Sequence, residues 1–204
     1  TLRADLPIGF DTDVDAAVLA ESRWGAGQGL DNLVYLTIGT GIGGGALVNG
    51  QLLHGYAHPE MGHILLPQHP SDTVFTGVCP FHGTCLEGLA SGPAIEARWH
   101  QPAANLPPDH PAWQLEAHYL ALGLMNICLI LAPERIVLGG GVMNQSFLFP
   151  LIRSELTQLL GNYMRLPQIA DMVNYVVPSG LSGIAGLYGG IALAHQTWQR
   201  NQHK

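Results

Sequence analysis

Glycine constrains the fold of this chain most strongly, because six glycines fall within the fourteen residues TIGTGIGGGALVNG, Thr37 to Gly50. This stretch directly follows the apolar run 33–36, which is typical of a buried strand. Gly39, Gly41 and Gly44 satisfy the G-x-G-x-x-G spacing of dinucleotide-binding proteins. That fingerprint requires a helix after the glycines, because the helix N-terminus must meet the pyrophosphate.

The residues after the glycines predict a second strand instead of a helix. Apolar pairs flank Asn49-Gly50, a dipeptide typical of a two-residue hairpin turn because both positions favour positive φ. The glycine loop therefore joins strand to strand, which argues against a dinucleotide-binding fold. A glycine-rich turn can hold phosphate through its backbone N–H groups, since glycine permits close approach. A tight turn without a ligand is the alternative, and the pattern leaves both open.

Helical and strand patterns alternate along the rest of the chain and predict an α/β fold. Residues 13–24 have the apolar spacing of a helix, with Thr12 or Asp13 positioned to cap its start. Residues 113–132 become apolar nearly all round and predict a buried helix. Residues 135–142, RIVLGGGV, repeat the pattern of a strand followed by glycines. An amphipathic helix, a short strand, a glycine turn and a closing helix are expected after them.

Charge and composition exclude several classes of partner and chemistry. The formal net charge of −7, with only 11% charged residues, argues against nucleic acid, whose binding needs clustered Lys and Arg. Apolar stretches are interrupted before the length of a membrane helix, so we expect no membrane partner and a cytoplasmic location. The only lysine is Lys204, which excludes a lysine-containing phosphate loop, a protein kinase and a pyridoxal Schiff base from this chain.

Two cysteines and two histidines have the spacing of a zinc site. They follow the pattern H-x15-C-x2-H-x2-C and are His63, Cys79, His82 and Cys85. Two thiolates and two imidazoles match a closed tetrahedral site, whose zinc is structural because no position is open to water. His58 and His69 compete with His63 as the fourth ligand. A disulfide is disfavoured in a cytosolic chain with three cysteines, and Cys128 is expected to be a core residue.

Carboxylates flank the predicted metal loop and the start of the first helix. Glu60 and Glu87 could bind sugar hydroxyls, or they could be solvated surface groups. Three aspartates cluster at the helix start: Asp11, Asp13 and Asp15. Acids at this place complement the helix dipole and cap free N–H groups. The functional alternative is a general base that takes the proton of a substrate hydroxyl.

Taken together, these motifs resemble the ROK family of sugar kinases (repressors, open reading frames, kinases), and within it the bacterial fructokinase branch. The resemblance is carried by the stretches FDTDVDAA, YLTIGTGIGGG, HGYAHPEMGHI, GVCPFHGTCLEGLASGPAI and IVLGGGV. It implies an α/β actin-like ATPase (ribonuclease H-like) fold with two lobes and a cleft. It also implies ATP-dependent phosphorylation of fructose at its C6 hydroxyl, with Mg²⁺, a structural zinc ion and a homodimeric enzyme.

The resemblance also implies roles for particular residues, carried over by position. Asp13 is the implied catalytic base. The implied sugar-binding residues are Thr12, Glu60, His63 and Glu87. The implied second phosphate loop consists of Gly39, Thr40, Gly41 and Gly43. The implied adenosine-side loop consists of Gly139, Gly140 and Gly141. His63 would contact both sugar and zinc, and the other implied zinc ligands are Cys79, His82 and Cys85.

The chain departs from the family at its start and at one aspartate. The family's first strand and D-x-G-G-T-K-like loop, whose Asp helps to hold Mg²⁺, has no counterpart before Asp13, so we expect most of the small lobe to be missing. Residues 1–32 would then end the small lobe, 33–184 form the large lobe, and 185–204 form a closing helix. Asp15 stands where many family members have Asn, and the sequence does not explain this difference. A glucokinase or mannokinase, a non-catalytic sugar-responsive regulator and an inactive fragment stay open as alternatives.

Overall fold

A five-stranded mixed sheet forms the centre of the protein, with strand order β3-β2-β1-β4-β5. The structure, a computed structural model, describes residues 6–202. Residues 1–5 and 203–204, which end the predicted segments 1–32 and 185–204, lie outside the described residues. The strands are β1 (Leu33–Ile38), β2 (Ile42–Val48), β3 (Gln51–Leu52), β4 (Arg135–Gly139) and β5 (Val176–Pro178). The pairs β1–β2 and β2–β3 are antiparallel, whereas β1–β4 and β4–β5 are parallel.

Helices cover both faces of this sheet, so the predicted α/β class is confirmed. The helices are α1 (Asp13–Trp24), α2 (Leu86–Ala90), α3 (Gly92–Trp99), α4 (Ala112–Leu131), α5 (Leu148–Leu160), α6 (Pro167–Ala170), α7 (Met172–Tyr175) and α8 (Ala185–Gln202). Successive residues of β1 point to opposite faces, as the period of a strand requires. Leu33 and Tyr35 join the smaller core with α1 and α8, whereas Leu36 joins the larger core with α2, α4 and α5.

The hairpin predicted at Asn49-Gly50 is present. Asn49 and Gly50 have φ values of 53° and 73°, and Val48 pairs with Gln51 across the turn. The first glycine turn, Gly39–Gly41, likewise connects the antiparallel strands β1 and β2. No helix follows β1, so the dinucleotide-binding alternative is excluded.

The helix α4 is the central element of the larger core. By length and composition it is apolar enough to span a membrane, contrary to the prediction from its sequence. However, 56% of its most apolar 18 residues are buried inside the protein. Cys128 on this helix is fully buried, and its Sγ lies 3.3 Å from the Tyr175 hydroxyl, as expected of a core residue. Burial raises the pKa of the Cys128 thiol to about 11, which keeps the thiol neutral.

Gly140 generates a prediction about stability, because its backbone conformation and its surroundings both require glycine. Its φ is +91°, and an added Cβ would lie 2.3 Å from the carbonyl oxygen of Ile38. We expect Gly140→Ala to lower the free energy of unfolding by about 3 kcal/mol, measured by urea denaturation. Gly141→Ala is the matched control, since Gly141 has a φ of −63° and no heavy atom near an added Cβ. Equal stability of the two variants would contradict this reading of the turn.

Candidate active site

Two glycine turns meet at one edge of the sheet, because β1 and β4 run parallel and end side by side. Thr37 pairs with Gly139 at the ends of these strands. A Cβ placed on Gly39 in the first turn would lie 4.0 Å from the backbone nitrogen of Gly141 in the second turn. The carboxyl ends of neighbouring strands in open α/β sheets are the usual place for ligand binding.

A cleft of about 370 Å³ opens at this edge, and Asp13 lies on its wall. Residues lining it include Asp13, Thr37, Gly139, Gly140, Gly141 and Ser179. Among the described residues that line it, none is Lys or Arg, so phosphate oxygens would meet uncharged donors there, which are backbone N–H groups and hydroxyls such as that of Ser179. Gly43 lies within β2, where an added Cβ would approach Val14 to 3.0 Å, so it packs against α1 instead of sitting in the turn.

Asp13 is the first residue of α1, and its carboxylate is exposed to the cleft. Its Oδ1 accepts the backbone N–H of Val14 at 3.0 Å, while the hydroxyl of Thr12 caps the helix by accepting the N–H of Asp15 at 3.1 Å. The cap predicted at Thr12 is therefore confirmed. Because Thr12 performs the capping, the carboxylate of Asp13 stays accessible to a ligand.

The predicted zinc ligands converge with the separations of a tetrahedral site. His63 Nδ1 lies 3.7 Å from Cys79 Sγ, 3.5 Å from Cys85 Sγ and 3.3 Å from His82 Nδ1. Metal–ligand bonds of about 2.0–2.3 Å in a tetrahedron place neighbouring ligand atoms about 3.3–3.8 Å apart. All three cysteines are free thiols, so the disulfide alternative is excluded. The donor set and its geometry therefore fit zinc.

The competing histidines have other partners. His58 Nε2 lies 3.0 Å from the carboxylate of Glu60, and His69 Nδ1 lies 2.7 Å from the hydroxyl of Ser71.

Burial acts to raise the pKa of the Cys79 thiol, but hydrogen bonds, including those from the backbone N–H groups of His82 and Phe81, outweigh burial and hold this pKa below its usual value. A thiol with a lowered pKa is more readily available as a thiolate for a metal.

Glu87 connects the metal loop to the first glycine turn, a contact that the sequence did not reveal. It lies in the first turn of α2, directly after Cys85, and its Oε2 accepts the backbone N–H of Ile42 at 2.9 Å. An added Cβ on Gly41 would lie 2.6 Å from the same oxygen, so the turn is pressed against the carboxylate. Glu60, by contrast, has a side chain that is 66% exposed.

A second polar cluster lies beside the start of α1, and sequence reasoning missed it. His54 Nε2 lies 3.0 Å from Asp11 Oδ1 and 3.6 Å from Asp15 Oδ2, and the Thr12 hydroxyl donates to the same Asp15 oxygen at 2.8 Å. Asp15 is fully buried, and its Oδ1 has no hydrogen-bond partner among the described residues. Burial therefore raises the pKa of Asp15 to about 6. Asp15, which stands where many family members have Asn, thus holds the hydroxyl of Thr12 in place.

The mixed sheet with two glycine turns at one edge, beside an aspartate at a helix start, defines an actin-like ATPase fold, as the solved structures of similar shape bear out. Within this class, the pattern of the ROK family matches residues 2–197. The chain therefore belongs to the ROK family, and the fold and family implied by its motifs are confirmed.

Three similar proteins show how far the resemblance extends along the chain. A Bacillus subtilis (strain 168) relative is 50% identical over 195 residues, which cover 95% of this chain and 65% of the relative. The fructokinase of Zymomonas mobilis is 43% identical over 190 residues, which cover 92% of this chain and 62% of that protein. The chain thus spans less than two thirds of these relatives. The crystal structure of a ROK family glucokinase from Streptomyces griseus, in complex with glucose and AMPPNP, aligns with a TM-score of 0.73 at 27% identity and covers 95% of this chain and 70% of that chain.

The buried Asp15 generates a prediction about pH. A carboxyl whose pKa is raised on folding stabilises the fold below its unfolded pKa, and this stability is lost as the pH rises through about 6. Asp15→Asn cannot ionise and can still accept the hydrogen bond from Thr12. We therefore expect it to be more stable than the wild type by about 1–2 kcal/mol at pH 8, with the difference vanishing near pH 4.

Denaturation curves across this pH range provide the measurement, and Asp109→Asn is the control because Asp109 is exposed. A stability difference for Asp15→Asn that is the same at every pH would contradict the assignment of a buried, raised carboxyl.

Proposed function

We propose that this protein is an ATP-dependent hexose kinase that phosphorylates the C6 hydroxyl of fructose. The proposal rests above all on one observation, which is that Asp13 and Gly139–Gly141 line a single cleft at the edge of the sheet, with the first glycine turn next to Gly141 at the same edge. The identity to the Zymomonas mobilis fructokinase supports fructose as the sugar. Glucose and mannose are the next candidates, because one additional hydroxyl contact could change the preference.

In the proposed reaction Asp13 accepts the proton of the C6 hydroxyl while the hydroxyl oxygen attacks the γ-phosphorus of ATP. A bond from the C6 oxygen to phosphorus forms, the bond from phosphorus to the β–γ bridging oxygen breaks, and ADP leaves. The turn of Gly39, Thr40 and Gly41 would hold the phosphates, with Gly43 behind it packing β2 against α1, and Gly139–Gly141 would face the adenosine side. Positioning of this kind, more than covalent chemistry, accounts for catalysis of phosphoryl transfer.

Mg²⁺ would enter this site together with ATP. Asp13 is the only carboxylate among the described residues that line the cleft, so the phosphates would supply most of the ligands of the ion. The ion supplies neutralisation of charge on the transferred phosphoryl group.

The sugar would lie against a wall that the metal loop holds in place. Thr12, Glu60, His63 and Glu87 are the proposed contacts. His63 directs Nδ1 to the zinc cluster, which leaves Nε2 on the other side of the ring for a sugar hydroxyl. Glu87 uses Oε2 to hold the first glycine turn, which leaves Oε1 for the same purpose. Zinc bound by His63, Cys79, His82 and Cys85 would make this wall rigid.

We also propose the wider organisation that the family resemblance implies. Residues 1–32 would end a small lobe, 33–184 would form the large lobe, and 185–204 would return toward the small lobe. Cytoplasmic location and a homodimer belong to the same proposal.

The catalytic role of Asp13 is tested by fructose-dependent release of ADP. We expect Asp13→Asn to lower turnover by about 10²–10⁴-fold, because the general base is lost. Binding of fructose, measured by calorimetry, should stay within a few-fold, since Asp13 acts on the proton and not on the fit of the sugar. Asp109→Asn is the control. Turnover of Asp13→Asn near that of the wild type would refute the assignment.

The same assay separates the alternative functions. Wild-type protein that binds fructose without releasing ADP would point to a sugar-responsive regulator, and protein that binds neither fructose nor nucleotide would point to an inactive fragment. Parallel assays with glucose and mannose identify the preferred sugar.

The zinc assignment is tested by metal content. We expect about one zinc per wild-type chain and a large loss in Cys85→Ser, because a hydroxyl is a poor replacement for a thiolate ligand. Cys128→Ser is the matched control, since this buried cysteine lies outside the cluster. Elemental analysis of the folded proteins provides the measurement. Equal zinc content in the two variants would contradict the assignment of zinc to this cluster.

A further inference from the structure

A buried carboxylate on α1 lies outside the cleft and yet holds part of its wall. Glu21 is fully buried, and its Oε2 accepts the backbone N–H groups of Ala26 at 2.7 Å and Gly180 at 3.1 Å. Its Oε1 accepts the backbone N–H of Leu181 at 3.1 Å and the hydroxyl of Ser179. A single side chain of α1 thus satisfies four donors, three of which belong to one short segment after β5.

This segment, residues 179–183, adjoins the second glycine turn and lines the cleft. Its Ser179 and Gly183 are among the lining residues, and the backbone N–H of Ser179 donates to Leu138, the residue directly before Gly139. An added Cβ on Gly180 would lie 2.7 Å from the backbone nitrogen of Ala26, so the segment sits directly on the end of α1. Glu21 itself is not among the residues that line the cleft.

The same helix carries Asp13 at its other end. The helix α1 begins with Asp13 on the cleft wall, and Glu21 in its second half fixes segment 179–183. The relative positions of the proposed catalytic base and of this part of the wall are therefore set by one rigid helix. A segment with two glycines and a proline before it would otherwise have many conformations available.

We propose that Glu21 is a positioning residue for the nucleotide, which holds segment 179–183 in the conformation that receives the adenosine side of ATP. This inference rests on the proposed kinase function. A segment that is already fixed lowers the entropic cost of binding the nucleotide. Loss of Glu21 therefore weakens nucleotide affinity, although Glu21 itself makes no contact with the nucleotide. The proposed fructose contacts Thr12, Glu60, His63 and Glu87 lie outside this segment and are not among the residues that line the cleft beside it, so fructose binding does not depend on the segment.

Glu21→Gln is the direct test, because the variant keeps the shape but turns an NH₂ group toward N–H donors. Glu134→Gln is the matched control. Glu134 Oε2 also accepts two backbone N–H groups, those of Asp31 and Asn32, at 3.0 and 2.9 Å, but it lies at the other end of β1 and β4. Calorimetry measures the affinity of each protein for AMPPNP and, separately, for fructose.

We expect Glu21→Gln to weaken AMPPNP binding by about tenfold, with fructose affinity within twofold of the wild type, and Glu134→Gln to change neither. Equal weakening of both ligands would reduce Glu21 to a purely structural role and overturn the inference. Unchanged AMPPNP affinity would overturn it too, while the proposed function stands. Wild-type protein that binds no AMPPNP would instead refute the proposed function itself.

Hydrogen exchange keeps the inference testable even if Glu21→Gln folds poorly. In the wild type without nucleotide, the amides of Gly180 and Leu181 should exchange slowly, because both are bound to Glu21. Glu21→Asp keeps the charge but withdraws the oxygens, and these two amides should exchange faster in it. Rapid exchange of both amides in the wild type would overturn the inference without any variant.

Discussion

The parallel pairing of β1 with β4 is the constraint on which the rest of the molecule depends. Its register, with Thr37 opposite Gly139, brings two glycine turns that lie about a hundred residues apart in the chain to the same edge of the sheet. The cleft exists only because of this pairing. The helices α1 and α8 then cover one face, so the start of α1 carries Asp13 to the same edge.

Around this edge, loops are held by single carboxylates that accept backbone N–H groups. Glu87 holds the first glycine turn through Ile42, and Glu21 holds the segment after β5. Because Glu87 follows Cys85 by two residues on α2, a metal bound by the cysteine cluster would also fix the position of the turn. The cysteine–histidine cluster, the proposed sugar contacts and the proposed phosphate turn would then form one rigid unit, which is the preorganisation that the proposed phosphoryl transfer requires.

Local signals in the sequence predicted most of this fold. The hairpin followed from Asn49-Gly50, and helix α1 has the predicted bounds because its cap and its apolar spacing are local features. The predicted cysteine–histidine cluster is present, and its members Cys79, His82 and Cys85 followed from their two-residue gaps. The carboxylate contacts could not be predicted, since Glu21 meets a segment about 160 residues further on, and no pattern along the chain encodes such a pairing. His54 approaches Asp11 and Asp15 for the same reason, through the packing of separate elements.

A crystal structure with fructose and AMPPNP bound tests the central claim most directly. The claim is that the edge formed by β1 and β4 is the place of phosphoryl transfer. The account predicts phosphates against the turn of Gly39–Gly41, adenosine beside Gly139–Gly141, and the C6 hydroxyl of fructose within hydrogen-bond distance of Asp13. Ligands bound away from this edge, or a C6 hydroxyl facing away from Asp13, would contradict it.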